Sequence, residues 1–233
     1  MAASSNKTLE NQTFGIICVM GAPGAGKGTL CTHLAERFNL VHYSIGDNLR
    51  TWMRENSDTP LALRIQSKLD NQGFLSSEDL NPFLFHAVKK AKNSGQSNAA
   101  GIMFDGYPRC IEQLESFDTE SAREELCLAA SNDFHDVARS VPDVVLFFDV
   151  TRQNARVRYL GRARDANDSE DKFDKRYAEF EAETLPVVER YKQKGILISV
   201  DANGTKERTA EVLMKALEGS MIWQRAVIMN SLE

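Results

Sequence analysis

Residues 14–29 read FGIICVMGAPGAGKGT. The apolar run Phe14–Met20 carries β-branched Ile16, Ile17 and Val19 and stops at Gly21, a pattern that predicts a strand buried on both faces. Gly21, Gly24 and Gly26 then lead through Lys27, Gly28 and Thr29 into a helical pattern over Leu30–Phe38. Glycines at these positions let the backbone curl until successive N–H groups point into one hollow, and the helix N-terminus adds partial positive charge. Lys27 supplies a full charge for outer phosphates, and Thr29 a hydroxyl able to reach Mg²⁺. Strand, loop and helix together read as a phosphate cradle.

The bulk composition is compatible with that reading and excludes others. In 233 residues, 42% are apolar and 26% charged, with a net charge of −5, the balance of one α/β domain with small inserts and not of a protein that coats nucleic acid. Cys18, Cys31, Cys110 and Cys127 form no CxxC or Cys/His spacing of the kind that holds zinc, and Cys18 falls in the first strand as a small packed hydrophobe. Free cysteines point to a reducing compartment. No stretch approaches the roughly 20 apolar residues of a membrane span. Residues 1–13 are polar, without a signal-peptide core, and read as a frayed leader. These features predict a cytoplasmic protein, the nucleus being open to so small a chain, with monomer the simpler state.

Strand-like and helix-like segments alternate along the rest of the chain. Leu40–Tyr43 reads as a strand running into SIGDNLR, with Ser44 or Asp47 capping a helix that begins near Asn48. Helical periodicity covers Asn48–Asn56, Pro60–Asn71 and, behind a Ser76 or Ser77 cap, a stretch ending near Lys92. Gly101–Phe104 is a strand ending in DGYPR, where Asp105 is well placed to hold a metal's water shell. Pro142–Val150 is a strand, followed by a helix capped by Thr151. A long helix over Ser169–Lys194 is expected to bend near Pro186. Gly195–Val200 is the last strand, Thr205–Leu217 an amphipathic helix, and residues 220–233 a tail that contains Trp223. Alternating strands and helices predict a five-stranded parallel sheet with helices on both faces, its strand C-termini at one edge.

Arginines concentrate near those ends. Arg152, Arg156, Arg158, Arg162 and Arg164 fall within thirteen residues, and the acids that could neutralise them come mainly after Asp165. One reading is a solvated, salt-bridged face. The other is a set of unpaired guanidiniums offering bidentate contacts to phosphate oxygens.

Four separated motifs resemble those of the nucleoside monophosphate kinases, the adenylate kinase and UMP/CMP kinase family, over roughly Gly15–Leu217. GAPGAGKGT is similar to the family's GxPGxGKGT, including Gly28 between lysine and threonine. SIGDNLR resembles its GDxLR element, DGYPR its DGFPR element, and DKRYAEFEAETLPVVERY the helix after its lid. The resemblance implies a P-loop NTPase-type fold with a helical insert for the acceptor at about residues 45–75 and a short lid at about 162–170. It implies Mg²⁺ with ATP as donor, bound by Gly21, Ala22, Pro23, Gly24, Ala25, Gly26, Lys27, Gly28, Thr29 and Arg162. The acceptor monophosphate is implied at Ser44, Arg50, Leu75, Gly106, Arg109, Gln113, Arg164 and Arg176. Lys27, Arg109, Arg162, Arg164 and Arg176 are implied in catalysis, with Arg158 the alternative to Arg164, and Thr29 and Asp105 near the metal.

The chain departs from the family pattern in places. The lid loop is compressed to Arg162-Ala163-Arg164, and the segment from Gln113 to Pro142 is longer than usual. Ile45 stands where a small or hydroxyl residue is common near the acceptor base, and Ser76-Ser77 replaces a Val-Pro pair. Gln113, four residues beyond Arg109, matches a glutamine that reads adenine, whereas pyrimidine kinases tend to carry Asn where this chain has Cys110. That favours AMP as acceptor and keeps UMP and CMP open.

Overall fold

The computed structural model describes residues 14–70, 74–93, 99–119, 141–161 and 169–228. Strands β1 (Gly15–Gly21), β2 (Leu40–Ser44), β3 (Gly101–Asp105), β4 (Val144–Asp149) and β5 (Leu197–Asp201) form one all-parallel sheet in the order β2-β3-β1-β4-β5. The predicted five-stranded parallel sheet is present. β1 is central because it has no polar side to expose: Ile16–Met20 are at most 2% accessible, with Cys18 opposite Phe104 on β3 and Val145 on β4. Its Cys18 thiol packs as a hydrophobe, and burial pushes its pKa far up. The helices around the sheet are α1 (Lys27–Phe38), α2 (Ile45–Glu55), α3 (Pro60–Asp70), α4 (Ser77–Asn93), α5 (Ile111–Phe117), α6 (Arg152–Gly161), α7 (Glu170–Glu179), α8 (Leu185–Gln193) and α9 (Lys206–Glu218).

Two expectations are corrected in detail. α2 begins a turn earlier than Asn48, because Ser44, the last residue of β2, is itself the cap and accepts from the Asp47 N–H. The long helix after residue 169 does deform, but over Phe180–Thr184, where a π-helical turn joins α7 to α8. Pro186 sits in the first turn of α8, beyond that widened segment. A proline ring crowds the carbonyl four residues back, here Ala182, and widening the turn relieves that contact.

The segment after α9 packs inward. Trp223, in the short helix α10 (Met221–Trp223), is fully buried and meets the Phe38 ring edge-on at 5.2 Å, and the Ala226 carbonyl presses on Gly15 at the start of β1. Trp223→Ala is therefore expected to destabilise the fold by about 3–5 kcal/mol, read as a lower urea midpoint. Trp223→Phe should cost less, since the buried indole N–H has no hydrogen-bond partner among the described residues.

Candidate active site

Because all strands run the same way, Gly21, Ser44, Asp105, Asp149 and Asp201 end on one edge of the sheet. A cavity of about 730 Å³ opens there. The cradle forms one wall. Gly24 has φ +85°, and a Cβ on it would come 2.1 Å from the Ala155 carbonyl oxygen, so α6 is packed against the loop as closely as glycine allows. Gly26, at φ 87°, turns the chain into α1, leaving the helix N-terminus aimed into the cavity. Lys27 Nζ lies across the loop, donating to the carbonyls of Gly21 at 2.7 Å and Ala22 at 3.0 Å. The ammonium is thus held over the hollow by the loop's own oxygens.

Four arginines among the described residues line the same cavity, Arg50, Arg109, Arg158 and Arg176, and the family resemblance assigns Arg50, Arg109 and Arg176 to the acceptor. Arg50, on α2, donates to Asp47, whose other carboxylate oxygen accepts from Ser44 Oγ at 2.7 Å. Arg176, on α7, donates to Tyr159 Oη at 3.2 Å. Arg109 follows β3 in a turn whose backbone is tied on both sides. Its N–H donates to Gln113 Oε1 at 2.8 Å, and its carbonyl accepts from Thr184 Oγ1 at 2.8 Å. Its Nε donates to the Gly106 carbonyl at 2.9 Å. Gly106 has φ +84°, and a Cβ there would crowd Arg109 Nη2 at 3.1 Å. Backbone and stem are both held, so the guanidinium fork points one way.

The electrostatics mark this end as an anion site. Arg109 is reached by solvent yet surrounded by cavity walls; that desolvation, and then the like charge of Arg176, lower its pKa, with Asp105 and Glu179 opposing. It stays protonated, as guanidiniums do in proteins. Glu179 responds oppositely, its pKa raised by burial and held back by Arg109 and Arg176. Converging cations that repel one another are relieved by a bound dianion.

The cavity brings together most of the residues singled out from sequence: Gly21, Pro23, Gly24, Ala25, Gly26, Lys27, Gly28, Thr29, Ser44, Arg50, Asp105, Gly106, Arg109 and Arg176. Ala22 is buried beneath the cradle and contributes its carbonyl to Lys27. Leu75 and Gln113 do not line the cavity. Gln113 is 1% accessible, and its Nε2 donates to the Leu75 carbonyl at 2.8 Å, so both ends of its amide are engaged. Ile45 is buried in the core and does not line the cavity. Ser77, in the Ser-Ser pair, donates its backbone N–H and its hydroxyl to Glu112 on α5; a proline there would have no N–H to give. Arg162 and Arg164, like residues 1–13, lie outside the described residues.

The arginine run divides in two. Arg152 pairs with Asp174 at 2.9 Å and Arg156 with Glu170, so on this part the salt-bridged reading holds and the unpaired one is corrected. The acids are distant in sequence but sit on α7, which packs beside α6. Arg158 instead turns to the loop after β5, donating to the carbonyls of Ala202 and Gly204 at 2.6 Å each, and lines the cavity. Several lining residues are not singled out by the sequence, among them Phe74, Glu179, Phe180 and Thr184 and, from the loop after β5 into α9, Gly204, Thr205, Lys206 and Thr209. The helical spacing of Arg176 and Glu179 could have suggested a shared face; the aim of Thr184 depends on the π-helical turn.

Comparison with known proteins agrees with the geometry. The family model described as adenylate kinase matches residues 19–196. An adenylate kinase of Flavobacterium johnsoniae is 34% identical over 202 residues, covering 87% of this chain and 97% of that protein. Adenylate kinase isoenzyme 1 of Caenorhabditis elegans is 30% identical, covering 87% of each chain. A UMP-CMP kinase of Lentinula edodes is also 30% identical, covering 93% of this chain and 92% of that one.

Proposed function

This chain belongs to the adenylate kinase family and is an ATP-dependent nucleoside monophosphate kinase, and we propose that its acceptor is AMP, that Mg²⁺ accompanies the ATP, and that it acts as a monomer. The observation that carries the reading is one cavity in which the cradle faces Arg50, Arg109 and Arg176. A donor's phosphates on the first and an acceptor's phosphate on the second would meet in line. The acceptor phosphate is ionised at neutral pH, so no general base is needed. Catalysis rests on alignment and on positive charge placed where the transition state needs it.

Lys27 and the cradle N–H groups hold the donor, and Arg50 and Arg109 the acceptor, with Arg176 bridging toward the transferring group. Arg162 and Arg164, outside the described residues, take from the family resemblance the role of excluding water that would hydrolyse ATP. Thr29 and Asp105 offer a hydroxyl and a carboxylate to the cavity, hard oxygen donors that suit a Mg²⁺ retaining several waters. That ion, when bound with ATP, offsets charge on the β- and γ-phosphate oxygens.

For the base, the support is the likeness of Gln113 to the family's adenine-reading glutamine, although its amide is buried behind Arg109 with its oxygen on the Arg109 N–H and its nitrogen on the Leu75 carbonyl. Reading adenine requires the amide to exchange its contact with Leu75 for the base. The experiment offers AMP, GMP, UMP and CMP separately with Mg-ATP and follows diphosphate formation. AMP is expected to give the highest kcat/KM; a higher value for UMP or CMP overturns that choice. The pyrimidine reading is the second one, favoured by the UMP-CMP kinase that matches nearly the whole chain.

A further inference from the structure

Cys31, His42 and Asp105 are far apart in sequence and meet beside the cradle. Cys31 comes from the second turn of α1, His42 from the middle of β2 and Asp105 from the end of β3. The Cys31 sulfur, a His42 ring nitrogen and an Asp105 carboxylate oxygen all lie within 4.8 Å of one another. His42 Nε2 and Asp105 Oδ2 are 3.3 Å apart. Two such ligands on a tetrahedral ion, with bonds of about 2.0–2.1 Å, stand about 3.3 Å from each other, so one edge of a tetrahedron is already formed. The sulfur would need to close by at most about an ångström to complete the face.

The chemistry of the three donors selects the ion. Magnesium takes oxygen ligands, whereas a mixed sulfur, nitrogen and oxygen set suits zinc and its neighbours. A thiolate and a carboxylate also neutralise a divalent cation, so the loaded site buries no net charge. Cys31 is fully buried, and the His42 and Asp105 side chains are 21% and 12% accessible, so water is largely excluded from the three. Asp105 also lines the active-site cavity, which leaves a fourth position open on that side.

We propose that Cys31, His42 and Asp105 form a binding site for a soft divalent cation such as Zn²⁺, and that its occupancy inhibits phosphoryl transfer by withdrawing Asp105 from the cavity. On binding, a metal–sulfur bond forms as the Cys31 S–H bond breaks, the proton leaves to solvent, and His42 ligates through the lone pair of a neutral ring nitrogen. No oxidation state changes. The inhibition, unlike the binding, rests on the role given to Asp105 above.

The test titrates the purified protein, in excess Mg²⁺, with Co²⁺ as a spectroscopic stand-in and then with Zn²⁺. One equivalent of Co²⁺ is expected to raise a thiolate-to-cobalt charge-transfer band that Zn²⁺ abolishes, with one proton released per Zn²⁺. Cys31→Ser should lose the band and bind Zn²⁺ ~100-fold more weakly, while turning over normally in the absence of zinc and escaping zinc inhibition. Cys18, Cys110 and Cys127 remain in that variant as internal controls. Should Cys31→Ser prove unstable, His42→Gln carries the same binding test. Absence of the band at saturating Co²⁺, or an equal band in Cys31→Ser, overturns the site. Binding without loss of turnover overturns the inhibitory half. Metal binding in a protein that transfers to no monophosphate would instead fault the kinase assignment of the cavity.

Discussion

Arg109→Ala is expected to lower kcat/KM for the acceptor by ~10³-fold, the scale on which a preorganised charge at a phosphoryl-transfer centre acts. Arg109 is held at both ends, with backbone N–H, backbone carbonyl and side-chain Nε each hydrogen-bonded at 2.8–2.9 Å. It therefore loses little freedom on gripping a phosphate, and alanine removes both the charge and the fork. Arg109→Lys keeps the charge without the bidentate geometry and should fall between the two. The residue is exposed and its side chain lines the cavity, so the urea midpoint should change little. A folded Arg109→Ala protein with kcat/KM within tenfold of the wild type would sink the assignment.

Lys27→Met is expected to lower kcat by ~10²–10³-fold, with a smaller loss in ATP affinity, because the cradle N–H groups would still hold the phosphates. Methionine has nearly the length of lysine and leaves α1 able to form. In the structure the ammonium is bonded to the Gly21 and Ala22 carbonyls, and ATP would draw it to phosphate oxygens. Its main contribution is then made as charge moves off the γ-phosphoryl group, so kcat carries the loss. A binding measurement with ATP beside the steady-state rates separates the two. Equal losses in ATP affinity and none in kcat would mean Lys27 only binds.

Much of the fold is legible because apolar runs report burial directly. Ile16–Met20, Gly101–Phe104 and Val144–Phe148 are continuous because strands covered on both faces have no solvent side. The cradle is legible for a related reason: its function is performed by backbone, and only glycines at set positions let that backbone turn. Boundaries that depend on a cap are less so. Ser44 and Asp47 are equally good caps on paper, and the choice fell to Ser44 because β2 delivers it at the sheet edge.

Side-chain partners are the least legible. Arg152 and Arg156 are neutralised by acids on α7, a pairing set by helix packing. Gln113 has the spacing of a base reader, and the structure shows it joining Leu75 to Arg109. Thr184 reaches the Arg109 carbonyl only because the π-helical turn re-aims it.

The sequence by itself determined the parallel sheet and the cradle Gly21–Thr29, since each rests on local spacing or on burial averaged along a strand, while Arg50, Arg109 and Arg176 were singled out by the likeness of their motifs to those of a known family. Only the tertiary structure decided which charges face one another, how Arg109 is held, and that Cys31, His42 and Asp105 share one place. Those are contacts between elements tens of residues apart, and their geometry is set by strand order and packing, which no local spacing encodes.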